Sequence, residues 1–249
     1  MYNYYGTARD IHLKVRVTGA RLLATIAWVS IAVAFACALW IVADEVRRPQ
    51  TMAIMNVVWP VTALYLSVFA LWGYYRFGRT KTKRAMHEHS MPMKHAQQRN
   101  DPTAAQVAVG TSHCGAGCML ADVACEFWIA SAGITLFGSM LWAEYTIDFV
   151  GAWTLGIVFQ YFAIQPMRHL PVGQALVAAI KADTLSILAF QVGMYAWMAL
   201  VFFRLFPHPH LTPFEPRYWL MMQIAMICGY ATSYPMNRWL IRAGWKEAM

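Results

Sequence analysis

Residues 112–126, Ser-His-Cys-Gly-Ala-Gly-Cys-Met-Leu-Ala-Asp-Val-Ala-Cys-Glu, concentrate the ligand chemistry of this chain. On a helix, Cys114, Cys118, Asp122 and Cys125 or Glu126 recur every three or four residues and share one face. A Cys-x3-Cys pair so placed turns two sulfurs toward one soft cation, with His113 as a third ligand. The spacing fits neither the c-type haem attachment Cys-x-x-Cys-His nor a zinc finger. Asp122 and Glu126, one and two turns further along, would deepen a cation site or relay protons. The competing reading is packing: Gly115, Gly117 and the small thiols let helices approach closely.

The stripe sits in a membrane protein. Of the residues, 59% are hydrophobic and only 13% charged, where soluble domains carry about 25% charged residues. Runs 22–43, 49–75, 149–167, 184–203 and 218–237 hold no Asp, Glu, Lys or Arg, and a further run, 127–143, extends backwards through 114–126. Each approaches the roughly 20 residues that cross a hydrocarbon core as a helix. The expected fold is an all-α integral membrane bundle of about six transmembrane helices. Counting Lys and Arg in short loops sets its orientation. With both termini cytoplasmic, Arg9, Lys14, Arg16, Arg21, the basic residues from Arg76 to Arg99, Arg168, Lys181, Arg238, Arg242 and Lys246 lie inside. Only Arg47, Arg48, Arg204 and Arg217 lie outside. The net charge of +8 then suits an anionic inner leaflet, and no nucleic-acid motif is present.

Residues 1–20 read as a cytoplasmic tail and 21–249 as one six-span domain with a long cytoplasmic loop at 76–112. That loop holds a His/Met-rich tract at 86–95, which composition alone offers to a metal. Span three is expected to start near Gly117, after glycines that allow a tight entry turn, and a helix start there would favour a Cys114 thiolate. Residues 173–183 read as a short amphipathic helix before span five. No internal repeat supports an inverted-repeat transporter.

This arrangement gathers several polar segments on one side of the membrane. They are the 113–118 motif, the corner from Gln165 to His169, Lys181 with Asp183, and Tyr234 to Asn237. The cytoplasm is reducing, so a structural Cys114–Cys118 disulfide is not expected. Met167, Met236 or Asp122 would complete a coordination sphere begun by His113, Cys114 and Cys118. A polar pathway through the bundle would use Asp122, Glu126, Gln165, Asp183, Gln191, Met194, Met222, Gln223 and Met226. Thioethers select soft Cu(I), although membrane cores also use Met as filler.

The Ser112-to-Cys118 motif resembles a family of bacterial membrane proteins known as domain of unknown function 4396. The resemblance extends through Ile54 to Tyr65, Lys181 to Ser186, Gln191 to Tyr195, Met222 to Met226 and Ala231 to Asn237. It implies a polytopic membrane fold and brings no activity. The expectation from the residues is therefore a multi-pass protein of the bacterial cytoplasmic membrane that binds a transition metal, copper before zinc, for transport or delivery. Two other readings stay open: a membrane thiol oxidoreductase using Cys114 and Cys118, and a non-catalytic subunit of a larger membrane complex. A homo-oligomer is also left open.

Overall fold

The computed structural model describes residues 4–50, 52–79, 101–168 and 171–246, with side chains from residue 18 onward except at 165–168. The elements are helical: α1 (Tyr4–Arg47), α2 (Met55–Leu66), α3 (Val68–Gly73, continued by a π-helical turn Tyr74–Gly78), α4 (Ala104–Ala132), α5 (Met140–Arg168), α6 (Val172–Leu200, continued by Val201–Leu205) and α7 (Pro216–Arg242). By length and composition, four segments among the described residues can cross a membrane: Thr18–Arg47, Ala104–Ala132, Met140–Ile164 and Val172–Leu205. Trp28, Leu39, Phe69, Trp128, Phe162 and Val192 are exposed, as an outer surface solvated by lipid allows.

The run at 49–75 does not form the expected second span. With twelve residues, α2 is about 18 Å long, short of a hydrocarbon core of about 30 Å. The chain turns at Ser67, in a positive-φ conformation (49°), and α3 returns beside α2. Trp59 packs edge-on to Tyr74 with ring centroids 5.7 Å apart. A Cβ at Gly78 would lie 2.6 Å from the Trp59 ring, so this close return requires glycine. The hairpin is tied to the end of α1: Tyr74 Oη donates to Asp44 Oδ2 at 2.8 Å, Arg79 pairs with the same carboxylate at 3.3 Å, and Trp40 Nε1 donates to Tyr75 Oη at 2.7 Å. Both ends of 55–79 thus lie at the C-terminal end of α1, and α2–α3 is a re-entrant pair.

Span three is also placed differently from the sequence expectation. It begins at Ala104, where Thr103 and Gln106 form a capping box. Residues 104–112, expected as loop, are therefore helical. It ends at Ala132, with Gly133 in the left-handed conformation (φ 64°) donating to Ile129 O. A tight turn, in which Leu136 and Ser139 exchange backbone hydrogen bonds of 3.0 Å, leads into α5. Gly115 and Gly117 are thus not an entry turn but sites of close packing within the helix. A Cβ on Gly115 would lie 2.4 Å from Tyr65 Oη, and one on Gly117 would lie 3.4 Å from the Gly156 backbone of α5. Residues 172–200 form one continuous helix rather than a separate amphipathic segment followed by a span.

Successive hairpins give the bundle two ends. The starts of α4 and α6 and the ends of α5 and α7 share one end, where Arg242 bonds Asp101 at 2.6 Å and Tyr230 Oη donates to Ala108 O. The re-entrant pair enters from this end as well, because Thr62 Oγ1 reaches Ser112 O at 3.5 Å and Tyr65 lies against Gly115. The end of α3 and the start of α4 therefore lie at the same end of the bundle.

Candidate functional site

The chemistry divides between two buried centres built on α4. The first, the thiol centre, lies near the end shared by the α4 start and the α7 end. Cys114 Sγ is 2.9 Å from Asp183 Oδ1 on α6 and 3.1 Å from Ser186 Oγ. Lys246, just beyond α7, enters from the chain's last described turn. Its Nζ donates to Cys114 Sγ at 2.8 Å and pairs with Asp183 Oδ1 at 3.2 Å, and the Lys246 and Asp183 side chains are both fully buried. The tail is held by Gly244 at φ 70° and by hydrogen bonds from Trp245 N and Lys246 N to Leu240 O. Burial opposes charge on Lys246, but the groups at Cys114 and Asp183 outweigh it and hold its pKa above the ordinary lysine value. The charge-balanced state is an ammonium, a carboxylate and a thiol that donates to Asp183.

A hydroxyl–amide relay backs this triad. Ser233 Oγ donates to Ser186 O at 3.0 Å and lies 3.2 Å from Ser186 Oγ. Asn237 Nδ2 donates to Ser233 Oγ at 2.9 Å. His113 and Cys118 complete the neighbourhood. Both are fully buried; His113 lies in electrostatic range of Asp183 and Lys246, and Cys118, between the two centres, in range of Asp122, Cys114 and Asp183. Neither His113 nitrogen has a hydrogen-bond partner, nor does Asp183 Oδ2; the imidazole meets Phe159 edge-on at 5.8 Å. Gly156 makes room for the carboxylate, since a Cβ there would lie 2.6 Å from Asp183 Oδ2.

The second, the carboxylate centre, lies about 12–18 Å further along α4 from Cys114. Asp122 and Glu126 of α4 and Glu144 and Asp148 of α5 are all buried. Glu126 is in electrostatic range of Glu144, Asp148 and Tyr218.

This match is to a family. The chain belongs to the family described as domain of unknown function (DUF4396), which it matches over residues 103–246. That span begins at the α4 cap and ends at Lys246, so it contains both centres and excludes α1 and the re-entrant pair. No curated protein and no solved structure matches the chain.

The structure groups the expected ligands selectively. His113, Cys114, Cys118 and Asp183 gather at the thiol centre; Asp122 and Glu126 belong to the carboxylate centre instead. Among the described residues, no three His, Cys, Asp or Glu side chains are arranged to hold a metal ion. The start of α4 at Ala104 also removes the helix-terminus effect expected at Cys114. Gln191 is buried with no partner for its amide. Met194, Met222 and Met226 lie in the apolar core. Gln223 is committed to tying helices together, donating to Leu64 O at 2.8 Å and accepting from Ser30 Oγ at 2.6 Å. Met236 is partly buried on α7, and the tract at 86–95 and the side chains of Gln165 and Met167 lie outside the described residues.

Sequence reasoning counted Lys246 only as a cytoplasmic charge. It also passed over Ser186, Ser233, Glu144 and Asp148, and included Asn237 only as the end of the polar segment from Tyr234. Ser186, Ser233 and Asn237 sit inside segments that carry the family resemblance. Glu144 and Asp148 interrupt two charge-free runs at helical i, i+4 spacing, a signal that could have found them.

Proposed function

We propose that this chain binds a soft or borderline transition-metal cation at the thiol centre, copper before zinc, as part of metal transport or delivery across the cytoplasmic membrane of a bacterium. The observation that carries the reading is the convergence of Cys114 Sγ and Asp183 Oδ1 on one cation, the Lys246 ammonium, in a fully buried site. A metal would take the place of that ammonium. Binding then requires Lys246 to withdraw and Cys114 to lose its proton, so affinity rises with pH. Cys118 and His113, both buried in the same neighbourhood, are the further soft donors that such a site would recruit. A thiolate with imidazole suits Cu(I) or Zn(II) better than a hard cation.

In this reading α7 adds a fifth crossing to the four apolar segments, and α2–α3 enters and leaves from one side. The lysine-bearing end is taken as cytoplasmic: Arg47, Arg48, Arg76, Arg79, Arg168, Lys181, Arg238 and Arg242 stand there, against Arg9, Lys14, Arg16, Arg21, Arg204 and Arg217 at the other. The start of α1 then lies on the opposite side from Lys246, unlike the six-span expectation.

Elemental analysis of the purified protein, followed by Cu(I) and Zn(II) titration, tests the reading. Near-stoichiometric metal that is lost when Cys114 and Cys118 are both changed to Ser supports it. Metal-free protein whose weak binding is unchanged by those substitutions refutes it. A second reading, thiol oxidoreduction, is favoured by the same Lys246–Cys114 contact, because an ammonium stabilises a thiolate. It requires a reversible Cys114–Cys118 disulfide, which non-reducing mass spectrometry detects; all five cysteines are free in the structure.

A further inference from the structure

The carboxylate centre is left unexplained by a metal at Cys114. Asp122 is fully buried and Glu126, Glu144 and Asp148 are nearly so. Among the described residues both Asp122 oxygens lack hydrogen-bond partners, while Glu126 and Asp148 face each other. The titratable groups that face these four are Cys125 from α4, Tyr145 from α5, Tyr195 from α6 and Tyr218 from α7, with Cys118 beside Asp122. Among the described residues, no Lys or Arg takes part in their interactions. Four carboxylates in such a site cannot all be ionised without a counter-ion, because neither water nor a paired cation offsets their desolvation and mutual repulsion. The charge must be balanced by a bound cation or by protons. Protons balance it without the closely gathered donor set that a metal ion requires, which is absent here, as at the thiol centre, among the described residues.

A second, independent feature points the same way. A cavity of about 230 Å³ opens beside the cluster, lined by Glu144, Tyr218, Met198 and His210. It has room for several waters and polar groups to hold them. The buried Tyr218 side chain in its wall faces Glu126 of the cluster. Glu144 therefore belongs both to the cavity and to the cluster.

We propose that Asp122, Glu126, Glu144 and Asp148 form a proton-carrying site that exchanges protons with the cavity through Glu144. A protonated carboxyl both donates and accepts, which supplies partners for the orphaned oxygens. Each transfer breaks one O–H bond on a carboxyl and forms one on its neighbour or on a cavity water, so charge is conserved at every step. The order runs from Glu144 to Asp148 and Glu126, then to Asp122, whose inner neighbour on the helix face is Cys118. The site thus leads toward the thiol centre, where metal binding would release a proton from Cys114. The proton-carrying role itself does not rest on the metal reading.

Infrared spectroscopy of the full-length protein in lipid nanodiscs tests it. At neutral pH the wild type is expected to show protonated-carboxyl C=O bands that shift on transfer to D₂O, and Asp122→Asn and Glu126→Gln each lose part of that absorption. Glu144→Gln is expected to slow the D₂O shift of the bands that remain. Absence of any protonated-carboxyl band in the wild type at neutral pH overturns the proposal, a result that needs no variant to fold. Bands unchanged in the Asp122 and Glu126 variants, or exchange in Glu144→Gln as fast as wild type, also overturn it. Metal content measured on the same samples reports separately on the thiol centre.

Discussion

The two centres share helix α4 but balance charge in opposite ways. At the thiol centre, Cys114 and Asp183 meet an ammonium from another part of the chain, and hydroxyls and an amide hold the arrangement. At the carboxylate centre, acids from α4 and α5 face one another with tyrosines beside them and, among the described residues, no ammonium. A buried anion with its own cation is committed to one charge state; buried acids without one must take up protons. One stripe of one helix therefore yields an ion-paired site and a protonatable one. What separates them is the single lysine that follows α7.

Breaking the pair should have the largest effect. Lys246→Met leaves Asp183 buried and uncompensated, and is expected to cost about 3–5 kcal/mol. Adding Asp183→Asn should recover much of that loss, because the buried anion is then gone. Thermal unfolding in detergent measures both; a single variant as stable as wild type would show that the pair contributes nothing.

The next effect is steric. Gly156→Ala places a methyl group against Ile187 Cδ1 and Asp183 Oδ2, an overpacking expected to cost about 1–3 kcal/mol. It should also weaken metal binding by displacing the carboxylate, whereas Gly110→Ala, with open space around its Cβ, should leave both unchanged. Parallel melting curves and titrations make that comparison.

Removing an acid from the other centre should act in the opposite direction. Asp148→Asn eliminates a buried group without a cation partner and is expected to leave stability unchanged or raise it by up to about 1 kcal/mol. A loss as large as that of Lys246→Met would erase the contrast between the centres.

The smallest effect concerns the surface pair Asp101–Arg242. The Arg242 hydrogen bond holds the Asp101 carboxyl below its ordinary range. Because the folded-state pKa is depressed, the contribution is present above the unfolded value, near 3.8, and is lost as pH falls through the folded one. Asp101→Asn should therefore change the melting temperature slightly at neutral pH and not at all in strong acid, as a pH series of melts would show.

Much of the fold was legible because a bilayer imposes a length and a polarity on every crossing segment. The apolar runs near 22–43, 149–167 and 184–203 fall within helices that can cross. The 49–75 run misled because a charge-free stretch fits a re-entrant hairpin as well as a span; the turn at Ser67 and the Trp59–Gly78 packing are invisible to hydropathy. Gly115 and Gly117 misled because glycine serves both a turn and a close helix contact. The i, i+4 stripe of α4 was readable because helical periodicity is local, but its division into two centres depends on which helices face it.

The sequence by itself determined a helical chain with segments long and apolar enough to cross a membrane and a polar face on α4, since composition and periodicity depend only on neighbouring residues. Tertiary structure alone decided that Lys246 reaches Cys114 and Asp183, that Glu144 and Asp148 join Asp122 and Glu126, and that α2–α3 turns back. Each of those outcomes is an encounter between residues far apart in the chain, fixed by helix packing rather than by local pattern.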